Sequence, residues 1–231
     1  MTGVIIQARM GSTRLPGKIL LPIAGKPLLG IIILRLSQLK SQVSTVVATS
    51  IESINDQVEK FCNQNNQTVF RGSEENVLER YLSCARHYGF NDIIRLTGDN
   101  PFIDTKELDR LITLHTDTKA DYSTSIAKLP IGIGAEIFTI NCLERIAQGA
   151  SEPYHFEHVN EYLLENPKEF KIVELEPPIT KNRPDIRLTV DTNLDYKRSC
   201  FIAERAGSFL VSTEKAISLA GEFETKCTAS V

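Results

Sequence analysis

The chain has 231 residues, 42% hydrophobic and 24% charged, which suits one large α/β domain and excludes collagen-like repeats and a disordered, charge-dominated chain. Lys and Arg total 26 against 29 Asp and Glu, a net charge of −3, so no global basic field draws the chain to nucleic acid or an anionic membrane. The five Cys, at 62, 84, 142, 200 and 227, include no C-x-x-C pair, which argues against a disulfide framework or zinc ribbon and for a reducing, cytoplasmic setting.

The N-terminus runs straight into a strand, with no basic segment and cleavage site of the secretory kind. The longest apolar run, Leu28 to Leu34, is interrupted by Gly30 and falls well short of the ~20 residues a membrane helix needs. A soluble protein is expected. Val4–Ile6 reads as a buried first strand, followed by strands at Thr45–Thr49, Thr68–Phe70 and Ile93–Leu96, all rich in β-branched residues. Between them lie helical patterns: Pro27–Leu39, Ile54–Gln64 with Val58 and Phe61 on one face, and Asn76–Tyr88 with Val77, Tyr81 and Cys84 together. This alternation predicts βαβ units around a mainly parallel sheet. After Leu96 come a helix at Thr105–His115 and strands at Tyr122–Thr124 and Ala135–Thr139, where parallel order is expected to break. Glu152–Asn166 is a polar, helix-patterned insertion. Glu169–Leu175 alternates as a strand before the Pro177-Pro178 stop, Ile186–Val190 reads as a strand, and Thr192–Ala206 as a helix. No repeat or linker divides the chain, so residues 1–231 are read as a single domain with an excursion near 130–178.

The segment Gln7 to Lys18 (QARMGSTRLPGK) lies where the first strand delivers its carboxyl end, the place where open α/β sheets bind ligands. Gly11 and Gly17 permit tight turns and close approach of amide groups to an anion, and Arg9, Arg14 and Lys18 add three cations. In composition this is a polyphosphate cradle, although a basic surface loop would look the same. It is not a Walker A motif: five residues rather than four separate the glycines, and Ile19 follows Lys18. Gly132-Ile133-Gly134 lacks the third glycine and the position of a dinucleotide fingerprint.

Val4 to Lys26 (VIIQARMGSTRLPGKILLPIAGK) resembles the N-terminal signature of the sugar cytidylyltransferases, a family that includes acylneuraminate, 3-deoxy-manno-octulosonate and spore-coat SpsF-like members. The likeness continues through Arg71–Tyr81, Arg95–Asp104, Glu157–Val159 and Arg187–Thr192, and so spans most of the chain. It implies a three-layer α/β/α, Rossmann-like nucleotide-diphospho-sugar transferase fold. It also implies CMP transfer from CTP to an acidic sugar, with pyrophosphate release, in surface or spore coat polysaccharide synthesis. By the same resemblance the CTP phosphates fall on the loop of Ala8, Arg9, Met10, Gly11, Ser12, Arg14 and Lys18, the nucleoside contacts on Arg71, Gly72 and Ser73, and Thr97 and Gly98 are nucleotide-binding as well. Arg14, Lys18 and Asp99 take the catalytic roles, Asp99 and Asp191 hold Mg²⁺, and Glu136 lies on the acceptor side. The insertion falls near the acceptor and a homodimer contact.

On chemistry alone, Asp99 and Asp191 follow strand-like runs and offer the hard oxygens that Mg²⁺ takes one or two at a time beside substrate phosphates. Spacing leaves open that Asp191 caps the helix at Thr192 and that Ser73 caps the helix after it. His155 and His158, three apart, lack a third evident metal ligand, and Tyr162, Leu163 and Leu164 read as packing or interface residues. The chain departs from many relatives at Ile131 and Gly134, where acidic residues are common, and at Asn193-Leu194, where Pro-Glu is frequent, which leaves the acceptor sugar open. The rivals are a glycosyltransferase of the same fold, whose usual D-x-D motif is missing after the fourth strand, and a nucleotide-binding subunit without catalysis.

Overall fold

The structure, a computed structural model, describes residues 1–229. Strand β1 (Thr2–Gln7) leads through a basic loop and a one-turn 3-10 helix (Lys18–Leu20) to the small hairpin of β2 (Pro22–Ile23) and β3 (Lys26–Pro27). Helix α1 (Leu28–Leu36), β4 (Ser44–Ser50), α2 (Asp56–Gln64), β5 (Val69–Gly72), α3 (Val77–Tyr88) and β6 (Asp92–Thr97) follow in the expected alternation. The second half contains α4 (Thr105–Thr118), β7 (Tyr122–Thr124), β8 (Glu136–Thr139), α5 (Ile140–Gly149), α6 (Pro153–Glu157), α7 (Glu161–Glu165), β9 (Ile172–Glu174), α8 (Asn193–Ala206) and α9 (Thr213–Thr228).

The main sheet has the order β5-β4-β1-β6-β8-β7-β9. Its first four strands are parallel, and β8 runs antiparallel to both β6 and β7, the break anticipated after Leu96. Side-chain alternation sorts the core into two layers. Val4, Ile6, Val47, Ile94 and Leu96 face α1, α2 and α4, whereas Ile5, Val46, Ala48 and Ile93 face α3 and α5. The sheet is thus covered on both sides, as the long β-branched runs of its central strands require. A third cluster joins α8 and α9 to Phe102, Leu129, Ile133 and Leu188 beyond the end of β6. Among the described residues no helix is long and apolar enough to cross a membrane.

Several boundaries differ from expectation for local reasons. Pro27 caps α1 rather than opening it, and that helix ends at Leu36 instead of Leu39. The Glu152–Asn166 pattern splits into α6 and α7 because Val159 turns inward, fully buried. Only Ile172–Glu174 of the Glu169–Leu175 run pairs with a neighbour. Ile186–Val190 makes a single bridge, Arg187 to Ile131, and not a strand. Its neighbour bends at Gly132, whose φ of +91° belongs to the region that favours glycine. A Cβ there would lie 2.6 Å from the Thr189 amide nitrogen, so the two segments touch backbone to backbone. Helices α5 and α9 went unanticipated, although Thr139 and Ser212 cap them.

Candidate active site

The paired register Ile6–Leu96 and Gln7–Thr97 brings β1 and β6 to the same level, so the loops that leave them meet. The Gly98 amide donates to the Gln7 carbonyl at 2.7 Å. A Cβ on Gly98 would sit 3.0 Å from that oxygen and 3.1 Å from the Ala8 Cβ, so glycine permits this close approach. From β1 the chain follows β4 for one more residue, as Ala8 donates to Ala48 (3.0 Å), and then turns out. The Met10 carbonyl accepts from the Ser12 and Gly17 amides at 2.9 and 3.1 Å, and Gly17, at φ +68°, starts the 3-10 turn that points Lys18 inward. The turn glycine therefore aims a cation into the sheet's end.

Two segments converge on that cation. The Lys18 ammonium lies 2.7 Å from Asp99 Oδ2 and 2.8 Å from Asp191 Oδ1. The Thr97 hydroxyl donates to Asp99 Oδ1 (2.6 Å), and the Val190 amide donates to the Asp99 carbonyl (2.9 Å), which ties the Asp191 segment to the end of β6. Arg14 reaches Asp191 at 3.0 Å, and Arg187 pairs with it as well. Burial alone would raise the Asp191 carboxyl, but the Lys18 hydrogen bond and the charges of Lys18, Arg14 and Arg187 outweigh it and hold the group below its ordinary value. Asp191 does not cap α8. Thr192 does, in a capping box with Asp195, whose carboxylate also receives the Asp191 amide at 3.1 Å.

Around this cluster lies a cleft of about 530 Å³. Arg9, Gly11, Ser12, Arg14, Lys18, Thr97, Gly98, Asp99 and Asp191 line it, so the structure brings together most of the residues singled out from sequence. Each cation of the first loop has a carboxylate partner, Arg9 pairing with Glu74 at 3.2 Å. An entering polyphosphate must therefore exchange with these carboxylates.

Most of the other sequence candidates lie elsewhere. Ala8 is buried at 2% exposure, and Met10 gives its amide to the Asn55 side chain at 2.8 Å. Arg71 with Gly72 and Ser73 stands off the cleft. The Arg71 guanidinium has all five donors engaged, by Asp56, Glu59 and the carbonyls of Ser50, Ile51 and Glu52, leaving none to read a base. The Ser73 hydroxyl accepts from the Asn76 amide (3.0 Å), and Asn76, not Ser73, caps α3. Glu136 is 1% exposed and does not line the cleft, but it pairs with Arg95, which does. His155 is buried on Glu165 at 2.9 Å, while His158 lines the cleft, so the two histidines do not converge. Among the described residues no group of three metal-ligating side chains occurs.

Gln7, Arg95 and Glu157 also line the cleft without having been given a role from sequence, and Arg187 braces Asp191. For Arg95 a signal exists: it stands two residues before Thr97, on the same face of β6.

Comparison with known proteins gives the family and the fold. Residues 3–219 match the family described as Cytidylyltransferase. The spore coat polysaccharide biosynthesis protein SpsF of Bacillus subtilis is 41% identical over 208 residues, 88% of this chain and 86% of the relative. A cytidylyltransferase from Leptospira borgpetersenii superposes with a TM-score of 0.90 at 36% identity, covering 97% of this chain and 95% of that one. CMP:2-keto-3-deoxy-manno-octonic acid synthetase, solved with CTP, superposes with a TM-score of 0.67 at 18% identity over 89% of this chain and 99% of its own, which speaks for a shared fold.

Proposed function

The chain belongs to the cytidylyltransferase family, a group of nucleotidyltransferases, and on that premise we propose that it transfers CMP from CTP to the anomeric hydroxyl of a 2-keto-3-deoxy sugar acid and releases pyrophosphate. The observation that carries this reading is the Lys18 ammonium held between Asp99 and Asp191 at the mouth of the basic loop. Cations free to shift onto phosphates, beside carboxylates able to take a metal, are what a nucleotidyl transfer needs. A spore coat or other surface polysaccharide is the destination favoured by the likeness to SpsF.

The donor set fits Mg²⁺. Two hard carboxylates meet on one cation, at present the ammonium of Lys18, and Mg²⁺ takes one or two carboxylates with phosphates and waters completing its shell. Asp99 and Asp191 would hold it, and when bound it supplies polarisation of the α-phosphate and a lower pKa for the attacking hydroxyl. Arg14 and Lys18 exchange their carboxylates for phosphate oxygens as CTP enters. The acceptor hydroxyl gives its proton to solvent as its oxygen bonds to the α-phosphorus in line and the bond to the β-phosphate oxygen breaks, and the two cations take up the charge that gathers on pyrophosphate. Thr97 holds Asp99 in orientation, while Arg187 and the capping box of α8 hold Asp191. We assign this activity to a cytoplasmic homodimer that uses the 152–166 segment near its interface, a placement that rests on the family resemblance.

The test is pyrophosphate release in Mg²⁺ with each of CTP, UTP, GTP and ATP against a panel of neuraminate, legionaminate, pseudaminate and octulosonate acids. Release confined to CTP with an acid is expected. Release with another nucleotide, or consumption of nucleotide sugars instead, contradicts the reading.

A further inference from the structure

Arg95 projects from β6 into the cleft in a setting that stability does not explain. Its side chain is 17% exposed and makes one hydrogen bond among the described residues, to Glu136, while its Nε is buried without a partner. Glu136 also receives the Tyr122 hydroxyl and, at 2.8 Å, the Asn160 side-chain amide. Replacing a buried ion pair by apolar residues of similar volume is often neutral for stability, because desolvation of the pair consumes most of its Coulomb gain. The arrangement instead fixes a guanidinium rigidly, one edge on Glu136 and the rest of its accessible surface toward the cavity.

Position within the cleft assigns a use. Arg9, Arg14 and Lys18 stand at the first-loop end, where the triphosphate needs them. Arg95 lies on the opposite flank, toward β8, with Glu157 and His158 also on the wall. It is the strongly basic side chain of the cleft that the phosphate loop does not supply. We infer that Arg95, held by Glu136, which Tyr122 and Asn160 hold in turn, receives the anionic group of the acceptor, a sugar carboxylate, and is a specificity-determining residue of the transfer. The inference rests on the cytidylyltransferase reading above. A planar guanidinium matches a carboxylate in two parallel hydrogen bonds, and because Glu136 already offsets its charge, recognition comes from directed donors more than from a broad field. Neutral sugars offer no such partner.

The experiment compares wild type with Arg95→Lys, Arg95→Met and the double variant Arg95→Met/Glu136→Gln. The double variant leaves no unpaired buried carboxylate if Arg95→Met alone does not fold. Acceptors are 3-deoxy-manno-octulosonate and N-acetylneuraminate, each as free acid and methyl ester, with CTP affinity followed by calorimetry. The expected result is an acceptor KM raised ten- to a hundredfold for the acid, the usual effect of losing a charged hydrogen bond. CTP affinity stays within twofold, and the preference for acid over ester is lost. Unchanged acid preference, or a loss that falls on CTP, overturns the inference while the cytidylyltransferase reading stands. Absence of transfer from CTP to any acid by wild type overturns that reading and this inference together.

Discussion

Replacing Lys18 by Met keeps the aliphatic stem and deletes the ammonium, which isolates the electrostatic part of the site. That ammonium lies 2.7 Å from Asp99 and 2.8 Å from Asp191, with the side chain 11% exposed. At an effective dielectric of about 20 each contact is worth about 6 kcal/mol of Coulomb attraction, most of it offsetting the cost of bringing the charges out of water. Without Lys18 the two carboxylates face one another, a repulsion of about 3 kcal/mol at about 5 Å in the same medium. Arg14 and Arg187 still neutralise Asp191, so the expected net loss at neutral pH is about 2–4 kcal/mol. For a chain of this size that lowers the melting temperature by about 4–16 °C. The deficit should shrink as the pH falls below about 4, through the lowered value of the Asp191 carboxyl, and on adding Mg²⁺, which binds the vacated pair in the folded state only. Thermal melts at neutral and acid pH, with and without Mg²⁺, provide the assay. A loss indifferent to pH and Mg²⁺ would trace the effect to packing of the stem and refute the reasoning.

Asp99→Asn removes a negative charge with almost no change of volume, so pyrophosphate release should fall by at least about a hundredfold while the fold persists; near-normal turnover at saturating Mg²⁺ excludes the assigned role. Arg71→Met deletes five hydrogen bonds that fasten β5 and α2 to the loop after β4, and should cost about 1–3 kcal/mol in denaturant titrations while the KM for CTP stays within twofold. The Asp191 carboxyl sits below its ordinary value of 3.8 in the fold, so the stability of its ion pairs is complete above about pH 4 and disappears as the pH falls through the lowered value. Melting temperatures of wild type and Asp191→Asn should therefore differ at neutral pH and converge in acid; a constant gap contradicts the assignment.

The first half of the fold was legible because buried parallel strands write themselves as continuous β-branched runs and their crossover helices carry one apolar stripe. The second half depends on contacts far apart in sequence. Ile186–Val190 has a strand's composition, yet Leu188 packs into the cluster under α8 and α9, and Gly132 bends the neighbour away after one bridge. Within the site, the clustering of Arg14 and Lys18 near glycines was visible, but the opposition of Asp99 and Asp191 across one ammonium arises only from the β1–β6 register and the Val190–Asp99 hydrogen bond. Arg71 looked like a nucleoside contact because its carboxylate partners, Asp56 and Glu59, lie on the preceding helix, where no local pattern ties them to it. Arg95 was overlooked for the converse reason: its meaning lies in Glu136, its cross-strand neighbour, 41 residues away.

The most direct test of the proposed chemistry is ³¹P NMR of a reaction containing the protein, Mg²⁺, CTP and the best acid acceptor. Attack of the sugar hydroxyl on the α-phosphorus predicts one new phosphodiester resonance and an equimolar amount of pyrophosphate, both absent with Asp99→Asn. Two mutually coupled diphosphate resonances in the product, or inorganic phosphate in place of pyrophosphate, would contradict it.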